Sequence, residues 1–483
     1  MQDIDIATIK NRSIKGVFSL VSRTFLIQFI GQVVTFLLTV YLSPADYGIF
    51  FLVSTVITFL AYFSDIGLAA ALIQKKDSIT EDDLKTTFTI QQILVVTVVI
   101  IGFLITPFVA KTYSLNATGE ILYQALIFAF FLSSLKTIPS ILLERTLQFN
   151  KLVIPDIVET LGFNIVVLVM AIQGFGIMSF TYGVVVRGLL GLIAIYVVSP
   201  WKPKLGINRK VAKDLLSFGL PFQANSILAL AKDNLFFLYL GAVLPKPALG
   251  FIGVAQKWAY IPLRLVMDNL IRITFPSFSR LAHNEEYLGK AIEKTLFSTT
   301  LFIFPSIVGM VILMPHFMQI FPKYHKWEPA LFSLAFFGIN AILSSISTPL
   351  TNALNAIGKI KITLYLMIFW TAATWILTPI LIAFYGFNGV SMASAFISLS
   401  VVGVVIVVKR YIKFSIFKIV VYPLLATLVM GVVLYFFSNL IHNFPFFFLS
   451  IFVGGATYLA VIFLLAKQLI ISDIQLVLSN LRK

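Results

Sequence analysis

The chain has 483 residues, of which 59% are hydrophobic and 12% charged, and its 36 Lys and Arg against 20 Asp and Glu give a formal charge of +16. A water-soluble domain sits nearer roughly 45–50% apolar and 25% charged, so a soluble globular protein is excluded. Cysteine is absent, which removes disulfides, thiolate metal sites and cysteine nucleophiles.

The first fifteen residues are polar and the apolar segment after them is long enough to span a bilayer, so no cleavable signal peptide is predicted. Stretches of about 20 apolar residues, the length that crosses a membrane, recur fourteen times. They cover roughly 17–42, 48–72, 88–110, 120–142, 154–173, 176–199, 215–243, 248–273, 294–315, 329–354, 361–384, 387–408, 417–440 and 445–467. Pro155 with Asp156 and Glu159 reads as the opening of the fifth, and Asp214 as the opening of the seventh, since such residues suit a helix's first turn. The predicted fold class is an all-α integral membrane protein with about 14 transmembrane helices. Beyond them, Ile470, Ile474, Leu478 and Leu481 recur at helical spacing beside polar neighbours. That pattern predicts an amphipathic helix lying on the inner membrane surface.

The connections set the orientation. With the N-terminus inside, 26 of the 36 basic residues fall in inner segments. Only Lys111, Lys246, Lys323 and Lys326 fall in outer ones. This asymmetry predicts a multi-pass membrane protein with both termini in the cytoplasm. The positive charge thus reads as orientation and attraction to anionic membrane lipids, with no nucleic acid as partner.

The chain also repeats itself. LSPADYGIF (42–50) aligns with LPKPALGFI (244–252), Pro139–Lys151 with Pro349–Lys361, and QGFG (173–176) with YGFN (385–388). Six helices therefore occur twice in the same orientation, giving two pseudo-symmetric six-helix lobes plus two C-terminal helices. The expected division is 1–200, 201–410 and 411–483. Parallel repeats of this kind mark transporters that open alternately to each side.

Arg12 through Gly67 resembles the N-terminal part of Wzx-type bacterial oligosaccharide flippases of the multidrug/oligosaccharidyl-lipid/polysaccharide exporter superfamily. The residues that carry the resemblance are Lys15-Gly16, LSPADYG (42–48), SDIGLAAALIQKKD (64–77) and LERTLQFNKL (143–152). It implies two lobes around a central cavity and movement of an undecaprenyl-pyrophosphate-linked sugar unit from the inner to the outer leaflet.

Apart from those at span ends counted with the inner segments, six basic residues lie within predicted spans: Arg23, Lys136, Arg187, Lys232, Lys257 and Arg264. Arg23 is either a cavity cation or the partner of Asp65 at similar depth, while Lys136, near an inner helix end, is expected to snorkel. Arg187 sits near the middle of the sixth span, as a cavity residue or an inter-helix pair. Lys232 and Asp233 are adjacent and point about 100° apart, so they do not neutralise each other within one helix. Lys257, Arg264, Asp268 and Arg272 are spaced seven, four and four residues apart, which places all four on one helix face. Arg264 and Asp268 have the spacing of an intrahelical pair. Lys257 has no acidic residue three or four positions away, which makes it the cation most expected to meet a substrate.

A pyrophosphate needs several fixed cations in a partly dry cavity, whereas a drug exporter needs cavity acids. The acidic candidates for pairing or coupling, Asp65, Asp233 and Asp268, are outnumbered by Lys257, Arg264, Lys232, Arg23 and Arg187. The expected function is a flippase for a lipid-linked oligosaccharide in surface polysaccharide biosynthesis, working by alternating access. The alternatives are a peptidoglycan-precursor flippase, a cation-coupled drug exporter and a non-enzymatic assembly scaffold. Asn225, Gln256 and Trp258 are candidate sugar contacts. Short, carboxylate-poor outer loops argue against a glycosyltransferase or polymerase, and no P-loop or metal-ligand spacing is present. No enzyme activity, metal or cofactor is expected, with proton or sodium coupling left open. Other polysaccharide-assembly proteins are the remaining expected partners.

Overall fold

A computed structural model describes residues 30–62, 64, 67–75, 79–146, 148–224 and 234–481. The described residues form helices and short connections, with no strand among them. Among the described residues, eleven helices are long and apolar enough to cross a membrane, and each falls on one of the segments predicted above. The other three segments are the first, where residues 30–41 form a shorter apolar helix, and the seventh and eighth. The seventh includes residues outside those described, and the eighth is a long helix interrupted by charge.

Helices α1 (Ile30–Tyr41) and α2 (Pro44–Tyr62) meet at a sharp turn that the LSPADYG motif builds. Pro44 occupies the first turn of α2, where its missing N–H leaves nothing unsatisfied. Asp46 Oδ2 accepts the Ser43 N–H at 2.9 Å and the Ser43 hydroxyl at 2.7 Å. The Asp46 N–H donates back to Ser43 Oγ at 3.2 Å, completing a capping box. Leu42 is fully buried, and Tyr47 donates its hydroxyl to the Thr35 carbonyl at 3.4 Å. Gly48 closes the motif for a different reason: a Cβ there would overlap the Lys246 carbonyl oxygen. Reciprocally, a Cβ on Gly250 would overlap the Pro44 carbonyl oxygen. Pro44 corresponds to Lys246 in the repeat, and Gly48 to Gly250, so the contact is symmetric.

The next two motifs meet each other. Helix α3 (Leu68–Gln74) ends where Arg145 Nη1 donates to the carbonyls of Leu72 and Lys75 at 2.9 and 2.6 Å. Helix α4 (Glu81–Leu104) starts with a capping box between Thr80 and Asp83, and Asp83 also receives Lys75 Nζ at 2.7 Å. The arginine of LERTLQFNKL thus caps the helix that SDIGLAAALIQKKD builds, satisfying carbonyls that a helix end leaves open.

Helices α5 (Thr106–Thr112), α6 (Ala117–Ser134), α7 (Thr137–Arg145), α8 (Phe149–Ile172) and α9 (Met178–Val198) complete the first repeat. Residues 200–208 then run irregularly along the start of α4. The Gly206 and Asn208 N–H groups donate to Thr89 and Thr86 Oγ1 at 2.9 and 3.0 Å. Lys204 pairs with Glu81, and Trp201 meets Phe88 edge-on at 5.1 Å. Asn208 Oδ1 accepts the Lys210 N–H at 3.1 Å and so opens α10 (Arg209–Ala224). Asp214, expected to open that segment, lies in its second turn instead, because the cap comes from Asn208. Helix α11 (Phe236–Val243) follows.

The chain packs as two compact units, up to Gly250 and from Phe251 onward. Helix α12 (Lys246–Leu281) begins in the first and continues in the second. The second unit holds α13 (Glu285–Ile320), a 3-10 turn at Pro322–Trp327, α14 (Ala330–Ala356), α15 (Ile360–Tyr385), α16 (Asn388–Ser398), α17 (Val401–Lys409), α18 (Phe417–Ser438) and α19 (Phe444–Leu481). Ile292, Leu296, Phe304, Leu350, Val404 and Leu434 form its core, and Tyr458 of α19 donates to the Leu301 carbonyl at 2.7 Å. Gly174 and Gly386, equivalent in the repeat, both adopt positive φ (85° and 57°) after α8 and α15. Glycine takes this conformation without steric cost, which suits it to a helix end. Ala466 leaves helical geometry (φ −117°, ψ 22°) inside α19. That break separates the apolar span from the segment expected to lie on the membrane surface, which is helical to Leu481.

Candidate cationic transport site

Helix α12 places Lys257, Arg264 and Asp268 on one side. Lys257 is half-buried, while Arg264 and Asp268 are exposed. Lys257 and Arg264 lie roughly 10 Å apart along the axis, at about 1.5 Å per residue. On the opposite side Ile252, Ala255 and Ala259 are buried, and Trp258 packs on Tyr324 and Trp327 at 6.4 and 6.5 Å. The apolar side therefore fixes the helix, and the charged side runs from half-buried Lys257 to exposed Arg264 and Asp268. Charge facing lipid at mid-membrane is costly, so a polar face of this kind suits water or a solute. The four-residue spacing of Arg264 and Asp268 does not produce an ion pair: no contact of 4.0 Å or less joins them. Both side chains are exposed, where such pairs gain little.

A polar network stands beside this face. Tyr260, three residues from Lys257 and four from Arg264, donates its hydroxyl to Asn340 Oδ1 of α14 at 2.8 Å. Ser344 Oγ reaches the same oxygen at 3.3 Å, and Asn340 Nδ2 donates to the Ser394 carbonyl of α16 at 2.9 Å. Sequence reasoning passed over both residues. Helical spacing marks Tyr260 as a neighbour of the ladder, whereas nothing in the sequence singles out Asn340.

The first unit contains a second charged group. Arg187 of α9 has its Nε 3.6 Å from Glu159 Oε2 of α8, and its guanidinium lies 6.0 Å from the Phe163 ring centre. Glu159 Oε1 is paired with Lys136 Nζ. Glu159 reads in the sequence as a helix-opening acid, but α8 starts at Phe149 and places it in the third turn, buried. Lys136 correspondingly does not snorkel, because a buried carboxylate binds it. Nearby, Gln91 and Gln92 of α4 donate to Thr137 Oγ1 and Ser134 Oγ at 2.8 and 3.2 Å. Of the remaining predicted site residues, Arg23, Asp65, Lys232 and Asp233 lie outside the described residues, as does Asn225.

The arrangement holds fixed cations on helices that the fold places in a membrane. It suits an anion that is bound and released.

Comparison with known proteins gives a consistent setting. Residues 37–331 match the family described as polysaccharide biosynthesis protein. The chain is 25% identical over 380 residues to the succinoglycan biosynthesis transport protein ExoT of Rhizobium meliloti (strain 1021), covering 76% of this chain and 73% of that one. Its fold is similar to that of the lipid II flippase MurJ in an inward closed conformation, with a TM-score of 0.74 and 18% identity. That similarity covers 93% of this chain and 99% of the other. It is also similar to an inward-facing multidrug resistance MATE family transporter of the MOP superfamily, with a TM-score of 0.62 and 14% identity. There the coverage is 81% and 98%.

Proposed function

The chain belongs to the polysaccharide biosynthesis protein family, and on that footing we propose that it is a flippase for an oligosaccharide unit linked to undecaprenyl pyrophosphate. It turns the unit from the inner to the outer leaflet of the inner membrane by alternating access, with both termini in the cytoplasm. The observation that carries this reading is the ladder on α12, where Lys257 and Arg264 share one face two turns apart. A pyrophosphate spreads its charge over several oxygens, and paired cations along one face match that charge without enclosing it. The family and a transport-protein relative support the polysaccharide class of cargo, and the excess of lysine and arginine in alternate connections supports the orientation.

The test measures surface polysaccharide in cells whose only copy carries a substitution at Lys257. Lys257→Ala should accumulate normally and lose most export, while Lys257→Arg keeps part of it. Full export by Lys257→Met, which preserves an aliphatic stem without charge, overturns the pyrophosphate reading.

A further inference from the structure

The cluster in the first unit contains one carboxylate and two cations, so one positive charge is left over. Lys136 contacts Oε1 of Glu159, while Arg187 meets Oε2 through Nε alone at 3.6 Å. Lys136 is the closer partner of the shared carboxylate. Among the described residues Glu159 is the acidic group paired with Arg187, and the Arg187 side chain remains 55% exposed. It is nevertheless the tenth of 21 residues in α9, near the middle of the span. A guanidinium cannot rest at that depth against hydrocarbon without large cost.

The direction in which it leaves the helix matters. At about 100° per residue, the exposed apolar residues Leu189, Ile193 and Val197 lie roughly 160°, 120° and 80° around α9 from Arg187. Arg187 is thus to one side of the exposed apolar stripe, toward Glu159 and Phe163 of α8. The position is also built. Gly191 leaves the space that the Glu159 carboxylate fills, since a Cβ there would overlap Oε1. Phe163, one turn beyond Glu159, lies beneath the guanidinium and adds a weak cation–π attraction. Glu159 itself is buried and shared with Lys136, so it sets Arg187 in place while one net positive charge remains on the cluster.

We propose that Glu159 is a positioning residue that presents Arg187 to the phosphate of a phosphate-bearing lipid, with Lys136 neutralising the carboxylate. As applied to the transported lipid, this rests on the flippase reading and adds to it a second anion contact, on the first unit. The guanidinium's planar fork suits phosphate oxygens, and its two terminal nitrogens are left for the ligand.

The experiment uses the full chain in lipid nanodiscs and follows both affinity and thermal midpoint. The probes are undecaprenyl pyrophosphate, undecaprenol and phosphatidylglycerol. Arg187→Ala should bind undecaprenyl pyrophosphate about tenfold more weakly, as expected for losing a charged hydrogen-bond partner. Undecaprenol binding and the thermal midpoint should hold, and Arg187→Lys should recover part of the loss. Glu159→Gln should weaken the same probe, with Glu159→Asp intermediate. Wild-type affinity in Arg187→Ala overturns the proposal. So does a lowered midpoint with unchanged affinity in Glu159→Gln, which makes the cluster purely structural. A loss confined to undecaprenyl pyrophosphate assigns the anion to the cargo, and an equal loss for phosphatidylglycerol assigns it to a bilayer headgroup. If wild type binds phosphatidylglycerol through Arg187 but not undecaprenyl pyrophosphate, the cargo reading fails while the anion site stands.

Discussion

Glu144 of the LERTLQFNKL motif sits in a partly buried place that disfavours its charged form. It lies outside the membrane-spanning segments, and partial burial, reinforced by the nearby Asp156 carboxylate, raises its pKa above the ordinary value. A carboxylate whose folded pKa is raised binds its proton more tightly in the folded state. Stability therefore falls as pH rises through the range between the unfolded and folded values, and the penalty is complete above the folded one. Glu144→Gln should raise the thermal midpoint at neutral pH. The gain should vanish at acid pH, below the ordinary carboxylate range, where both forms are neutral. An equal gain at both pH values would show a packing effect instead. Residues such as Glu144 and Glu159 also mark where sequence reasoning stops. Glu159 lies four residues after a proline and looks like a first-turn acid. Its partners Lys136 and Arg187 are 23 and 28 positions away, so only the fold reveals the pair. The α12 ladder was legible because its pattern is local: steps of seven and four on one helix need no tertiary knowledge.

The helix start at LSPADYG combines two requirements. Ser43 and Asp46 satisfy the exposed N–H groups of α2, and Gly48 lets α12 approach until backbone meets backbone. These do not carry the same weight. Losing a cap costs about 1 kcal/mol, while forcing a methyl group into a closed contact costs about 1–3 kcal/mol. Gly48→Ala and Gly250→Ala should each lower the thermal midpoint and protein abundance more than Ser43→Ala. Gly102→Ala is the control, since its Cβ would meet only the flexible end of Ile127 at 3.0 Å. Equal effects in all four variants would remove the close approach as the reason for these glycines. In the sequence the motif reads as the connection between two spans, and neither its helix start nor the role of its glycine was visible there. That role depends on a carbonyl 198 residues further along the chain.

For the whole molecule, the length and period of apolar segments were the most legible level, because bilayer thickness fixes helix length. Among the described residues, the eleven helices long and apolar enough to span all lie on expected segments. What composition could not convey is the packing of residues 200–208 along α4, which depends on specific hydroxyls at Thr86 and Thr89. The orientation rests on charge, and reporter fusions test it directly. Fusions after Lys210 and after Lys483 should report the cytoplasm, and one near Lys323 the outside. A reversal at any of the three breaks the proposed topology.

The reciprocal contact of Pro44 with Gly250 and of Lys246 with Gly48 also has a meaning in terms of ancestry. A patch that is its own complement needs only one sequence, because residue i meets j and j meets i, as in a twofold homodimer. This chain satisfies that rule with two copies of the motif inside one polypeptide. A protein of about half the length, carrying the motif once, would hold everything needed to form the same contact with a second copy of itself. Fusion of two such genes would turn a concentration-dependent dimer into a permanent one. Each copy of the motif would then be free to diverge everywhere except at the glycine, and LSPADYGIF and LPKPALGFI differ at most positions while keeping it.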